Sequence, residues 1–195
     1  MTTVNPAESA QPHNTEPAPQ PATLEQLQQA MEFMLDDLEA NRQGKLSEMQ
    51  NYHLRVRRQQ AILTGASLIF LFIISATVLI FLGRRQESSI LTIIGIGVTL
   101  GNAAMTGIFA RYWLRINADI QRGKVHTITG TLERVVKPVT RRVVNMMIRV
   151  EGFETIVNKE VFESFNHKQP YKLYTTPYTG SLLSAEPLDD PQKTS

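Results

Sequence analysis

Two uninterrupted apolar runs limit what this chain can fold into. Residues 61–83 (AILTGASLIFLFIISATVLIFLG) and 88–110 (SSILTIIGIGVTLGNAAMTGIFA) each extend for 23 residues without a charged side chain. A helix needs roughly 20 such residues to cross a hydrocarbon core. A soluble core helix is shorter and amphipathic, so both runs are read as transmembrane helices. Only Arg84, Arg85, Gln86 and Glu87 separate them, enough for an antiparallel helical hairpin and little else.

Orientation follows from the flanking basic residues. Arg42, Lys45, Arg55, Arg57 and Arg58 precede the first run, and Arg111, Arg115, Arg122 and Lys124 follow the second. Nine basic residues against two in the connecting loop are expected to place both termini of an integral membrane protein in the cytoplasm. The lipid bilayer is thus the first expected partner. Arg55, Arg57 and Arg58 on entry, and Arg111, Tyr112, Trp113 and Arg115 on exit, are expected at headgroup level.

The second run is rich in small residues, with Gly97/Gly101 and Ala103/Gly107 each forming a small-xxx-small pair. Such positions let backbones approach where lipid supplies no hydrophobic drive between helices. Gly97, Gly101, Asn102, Ala103 and Gly107 are therefore the expected helix-packing residues. They serve either a tight hairpin or a homo-oligomer through the second span, and spacing does not separate the two. Asn102 is the one strongly polar residue well inside a run, at the depth of about residue 69, with Ser67 the nearest hydroxyl. No Asp, Glu, His, Lys or Arg is embedded beside it, which favours an interhelical hydrogen bond over an ion path. A two-span chain forms a pore only as an oligomer.

Residues 1–22 hold five prolines, small polar residues and a single valine. Such composition buries too little apolar surface to offset chain entropy, so a disordered tail is expected, with a second flexible tail at 189–195. Residues 23–59 read as a cytoplasmic helix-turn-helix running into the first span. Thr23 and Gln26 form a capping box, and Leu24, Leu27, Met31, Met34/Leu35 and Leu38 recur at helical spacing, predicting one amphipathic helix of about 18 residues. Its stripe is too short for an independent coiled coil, so it should pack on a neighbouring helix or domain.

The stretch LEANRQGKLSEMQ (38–50) has the outline of a calcium loop, but its charges are wrong. With Gly44 at the sixth position, Glu stands first and Gln50 occupies the twelfth, where a bidentate Glu is required. The same residues make a corner: Gly44 in a left-handed cap, then Ser47 and Gln50 as a second capping box.

Residues 119–188 carry strand chemistry after a helix stop at Gly123. A β-rich run (125–136), an alternating strand (142–150) and FETIV (153–157) come first. A short helix (159–165, Asn158 as cap), YKLYT (171–175) and SLLSAE (181–186) follow. That order predicts a small OB-like barrel, with an SH3-like barrel or an open α+β sheet as alternatives. The fold class expected overall is a membrane α-helical hairpin plus this small C-terminal β-domain.

Little in the chain suggests catalysis. His13, His53, His126 and His167 share no metal-ligand spacing, no phosphate loop or nucleophile motif appears, and the absence of cysteine excludes thiol chemistry. No catalytic residue, cofactor or metal ligand is assigned. A nucleic-acid surface would draw on Tyr171, Tyr174 and Tyr178 with Lys137, Arg141, Arg142, Arg149 and Lys172. Acidic Glu133, Glu151, Glu154, Glu160 and Glu163 dilute that field and argue against it.

NRQGKLSEMQ ahead of a two-span hairpin, and YKLYTTPYTGSLLSAEPL at the end, resemble an uncharacterised family of small prokaryotic membrane proteins. The likeness covers residues 35–188. It implies two spans with a C-terminal cytoplasmic β-domain and supplies no activity or site residues. The expected function is a non-enzymatic membrane protein whose hairpin anchors a β-domain for interaction with a protein partner or for assembly. The alternatives are a subunit of an oligomeric channel or transporter, and a membrane-tethered nucleic-acid-binding module.

Overall fold

A computed structural model describes residues 23–140 and 143–188. The two expected tails and the basic pair Arg141 and Arg142 lie outside the described residues.

The chain starts with two short helices, α1 (Leu24–Met31) and α2 (Leu35–Arg42), where the periodicity predicted one. The Thr23–Gln26 capping box forms, with backbone N–H to side-chain oxygen distances of 3.1 and 3.3 Å. Glu32 then turns left-handed at φ 56°, and Asp37 accepts the Met34 N–H at 2.8 Å to restart the helix. In a continuous helix Phe33 would point away from the stripe formed by Leu27 and Leu38. The break buries Phe33 together with them, while Met34 and Leu35 are 62% and 59% exposed. Burying a Phe contributes about 1.5–3 kcal/mol, enough to offset the ~1–2 kcal/mol of a left-handed non-glycine residue.

Two long helices follow. α3 (Glu48–Arg85) starts at the Ser47–Gln50 capping box, and α4 (Ser89–Arg122) ends at Gly123, left-handed at φ 58°. Both are long and apolar enough to cross a membrane. α3 has 38 residues and thus a length of ~57 Å, and its first turns lie beside the rest of the protein, where Gln50 and Leu54 are buried. The two helices pack as a hairpin. On α4 the seam passes through Gly95, Asn102, Phe109 and Ile116, at seven-residue steps that keep one face toward a neighbour. Glycine makes room for larger side chains across this seam. A Cβ on Gly95 would fall 2.6 Å from Ile80 Cγ1, and one on Gly65 would fall 3.2 Å from the Phe109 ring.

After Gly123 come β1 (His126–Thr131), β2 (Glu133–Pro138), β3 (Val144–Val150) and β4 (Phe153–Ile156). Helix α5 (Lys159–Ser164), β5 (Pro170–Thr175) and β6 (Leu182–Pro187) complete the order. These form two antiparallel three-stranded sheets, β1-β5-β6 and β2-β3-β4. The single run expected over 125–136 is divided by Leu132, fully buried, at which the chain passes from one sheet to the other. The β3–β4 hairpin turns through Glu151 and Gly152, both at positive φ, which suits the right-handed twist of the flanking strands. Asn158 caps α5 through the Val161 N–H at 2.9 Å.

The core joins both ends of the chain. Leu27, Phe33 and Leu38 pack in one cluster with Leu132, Ile148, Val150, Phe162, Phe165, Tyr171, Leu173 and Tyr174. The N-terminal helices therefore pack on the β-domain, α1 against β6 and α5 and α2 against β6.

Candidate functional site

The most developed polar construction among the described residues is the joint between the hairpin and the β-domain. Asp119, in the last turn of α4, is fully buried. Its carboxylate accepts the backbone N–H groups of Tyr178 and Thr179, each at 2.9 Å, and the Thr179 hydroxyl at 2.7 Å. The β5–β6 turn is thereby bonded to the helix end. Arg122, one turn later, stacks its guanidinium 4.8 Å from the centre of the Tyr178 ring.

A second attachment uses the corner between α2 and α3. Lys45 bridges Lys124 in antiparallel fashion, flanked by bonds from Leu46 N–H to the Gly123 carbonyl and from Val125 N–H to the Gly44 carbonyl, both 3.0 Å. The corner predicted from Gly44, Ser47 and Gln50 thus also anchors the exit of α4. Its side-chain oxygens are engaged in capping: Ser47 Oγ accepts Gln50 N–H and Gln50 Oε1 accepts Ser47 N–H. Ser47 also donates its hydroxyl to Asp37. Gly44 sits at φ 75°, and a Cβ there would meet nothing within 4 Å, so only backbone conformation opposes a side chain. Gly44→Val is expected to cost about 2 kcal/mol, since a β-branched residue is disfavoured in the left-handed region. Thermal unfolding in detergent checks this, and a melting temperature equal to that of the parent protein would contradict it.

Glu186 on β6 is the third attachment. It receives Arg42 from α2 (Nε at 2.9 Å), the Tyr174 hydroxyl at 2.7 Å and the Lys172 ammonium at 3.6 Å. Beside it, buried Asn41 donates to Ser184 Oγ at 2.7 Å. Burial alone pushes the Glu186 carboxyl up. The hydrogen bonds from Arg42 and Tyr174, with the charges of Arg42 and Lys172, outweigh it and hold the group below its ordinary 4.5. A depressed folded-state value stabilises the fold above the ordinary value, and that contribution is lost as pH falls through the lower one. Arg42 is 51% exposed, so solvent screening limits the gain to about 1 kcal/mol. The stability difference between the parent and Arg42→Ala should therefore shrink as pH drops below 4.5, measured by unfolding across an acid series. A difference independent of pH would reject the linkage.

The predicted packing residues divide by face. Asn102 lies in the α3–α4 seam, yet its Oδ1 has no partner and Ser67 is exposed, so the expected bond between them does not form. Gly97, Gly101, Ala103 and Gly107 are exposed, and a Cβ on any of the three glycines would meet nothing within 4 Å. The close approach inside the hairpin is made instead by Gly65, Gly83 and Gly95. Side-chain size across the seam is a tertiary property, so composition alone did not distinguish these glycines from the outward ones.

The expected interface residues also separate. Arg55, Arg111, Tyr112, Trp113 and Arg115 are exposed, whereas Arg58 donates to Asn117 Oδ1 across the hairpin at 2.9 Å. Arg57 faces a cleft of ≈ 500 Å³ between the end of α1, β4 and the β5–β6 turn. A smaller cavity of ≈ 90 Å³ adjoins it, lined by Phe33, Gln50, His53 and Arg57 among others.

Tyr171 and Tyr174, considered as stacking platforms, are fully buried. Arg149 pairs with Glu154 and Glu133, Lys137 with Glu154, and Lys172 with Glu186, so these basic groups are engaged within the domain. His167 accepts the Arg134 N–H through Nδ1 at 3.0 Å. Among the described residues no three His, Asp or Glu side chains are grouped to hold a metal. Compared with family models, curated proteins and solved structures, the chain matches none.

Proposed function

We propose that this chain is a non-catalytic membrane scaffold. Its hairpin anchors the β-domain at the cytoplasmic face of a bacterial plasma membrane, for protein interaction and assembly. The observation that carries this reading is the joint. Asp119, the Lys45–Lys124 bridge and the Glu186 cluster tie the β-domain to the helices at three places, as a presenting platform requires. The strand order, with a short helix between β4 and β5 and the chain passing from β1 in one sheet to β2 in the other at Leu132, is read as OB-like. Fold alone assigns no ligand.

Two surfaces suit this role. Val136, Val139, Val143 and Val144 on the β2–β3 hairpin are each at least half exposed, an apolar patch fit for a protein partner. On α4, the outward Gly97–Gly101 pair suits a second copy of the chain. The native chain has no cysteine, so single substitutions give an unambiguous readout. Gly97→Cys and Gly101→Cys should form disulfide-linked dimers in native membranes, and amine crosslinking followed by mass should capture assemblies that Val139→Asp loses. Strictly monomeric, partnerless behaviour would remove the reading. Reporters fused to each terminus test orientation, since an external signal at either end contradicts it.

A further inference from the structure

The cleft beside Arg57 has a composition that the scaffold role leaves unused. Arg57 and Glu32 line both the ≈ 500 Å³ cleft and the ≈ 90 Å³ cavity that adjoins it. Neither side chain makes an ion pair or hydrogen bond among the described residues. The other acid nearby, Asp37, has both oxygens committed, to Met34 N–H and to the Ser47 hydroxyl. One uncommitted cation and one uncommitted anion therefore share the same walls.

Neutral donors accompany them. Gln50 is only 7% exposed and lines the smaller cavity. Its orientation is fixed because Oε1 accepts the Ser47 N–H, so Nε2 is left as a buried donor with no partner. An unmatched buried donor costs about 1–3 kcal/mol, and with almost no surface open to a ligand it adds polarity to the cavity wall without contacting what fills the cleft. The cleft wall also carries Asn158, which uses Oδ1 to cap α5 and retains its amino group as a donor. Glu32 stands at this rim because the chain breaks there, held left-handed at φ 56°.

Depth along α3 identifies the surroundings. Arg57 precedes Ala61, the first residue of the apolar run, by four positions, or ~6 Å of helix rise. The headgroup layer occupies about 5–8 Å on each side of the hydrocarbon core. A zwitterion bearing an acceptor phosphate and a donor ammonium matches this inventory. A purely anionic group would meet Glu32, and a quaternary ammonium could not donate to it.

We propose that the Arg57–Glu32 cleft binds a phosphoethanolamine group, its phosphate toward Arg57 and the Asn158 amide, its primary ammonium toward Glu32. The site rests on the reading that α3 crosses the bilayer at this depth. That premise is checked separately by resistance of the protein to alkaline extraction from the vesicles used.

The full chain is reconstituted with equal parts phosphatidylethanolamine, phosphatidylcholine and phosphatidylglycerol, and retained lipid is read by native mass spectrometry. Phosphatidylethanolamine should be enriched about tenfold over either competitor, the scale of one charged, hydrogen-bonded contact. Arg57→Gln should abolish the enrichment, and Glu32→Lys should transfer preference to phosphatidylglycerol. Both positions are exposed, so neither change threatens folding. Soluble glycerophosphoethanolamine is the second arm. Competition at the concentration of the lipid supports the chemistry and assigns a soluble source, while no competition supports the membrane lipid. An inserted protein that retains all three lipids equally, or whose preference survives both variants, overturns the site. Complete alkaline extraction overturns the depth argument and the spanning reading together.

Discussion

Asp119→Ala will release the β5–β6 turn from α4. The substitution removes a fully buried carboxylate and leaves the Tyr178 and Thr179 N–H groups, with the Thr179 hydroxyl, facing a space that cannot accept them. Hydrogen bonds to a charged acceptor contribute about 1.5–3 kcal/mol each, and stranding the donors adds a desolvation penalty. These terms share one site and are not additive, so the expected total is about 3–5 kcal/mol. Amide hydrogen exchange in detergent or bilayer is the direct measurement. Tyr178 and Thr179 should lose protection first, while the α3–α4 seam, which shares none of these bonds, keeps its own. Unchanged exchange at those two amides would show that Asp119 does not hold the turn. Under the proposed scaffold role, a domain that loosens on the hairpin should also capture less partner, because a partner engaging both parts then has to re-impose their orientation.

The second large effect belongs to Phe33→Ala. Phe33 is 5% exposed and joins the cluster that includes Leu27, Leu38, Leu173 and Tyr174. Truncating a buried Phe costs about 3–5 kcal/mol, combining lost transfer energy with the cavity left behind. Its neighbour Met34, 62% exposed, serves as the control, and Met34→Ala should stay within about 0.5 kcal/mol. Denaturant unfolding of the detergent-solubilised protein separates the two. Equal, small effects would mean that the N-terminal helices do not share the β-domain core. A large effect only at Phe33 would also explain why Glu32 tolerates a left-handed backbone: the aromatic side chain gains more by burial than the turn loses.

The contrast between Phe33 and Met34 shows where local pattern stops being informative. Helical spacing selected Met34 and Leu35 for the apolar stripe because they fit a period of 3.6, and it passed over Phe33 because it did not. The fold broke the period to bury the larger side chain. The glycines of α4 make the same point. Gly97 and Gly101 carry the recognisable spacing but face outward, whereas Gly95, which has no such signature, receives Ile80 across the seam. A glycine's value for packing depends on what stands opposite, and one sequence does not contain that information. The cleft was legible only as a list of headgroup-level arginines. That Arg57 shares a cleft with Glu32 while Arg58 bonds to Asn117 depends on where α1 and α4 lie beside α3.

Elements with short-range causes were set by the order of residues alone. The apolar runs specify two long helices because each residue contributes its own transfer energy. Thr23–Gln26, Ser47–Gln50 and Asn158 specify helix starts because a cap and its N–H lie three residues apart. Gly44 and Gly123 mark left-handed turns because a residue without Cβ adopts them at least cost. The contacts that unite these parts arose only in the folded chain: Asp119 with a turn 59 and 60 positions away, Asn41 with Ser184 across 143, and Leu132 as the crossing between sheets. Those pairings become favourable only when the core excludes water and brings distant segments together, since an exposed carboxylate gains as much from solvent as from a backbone amide.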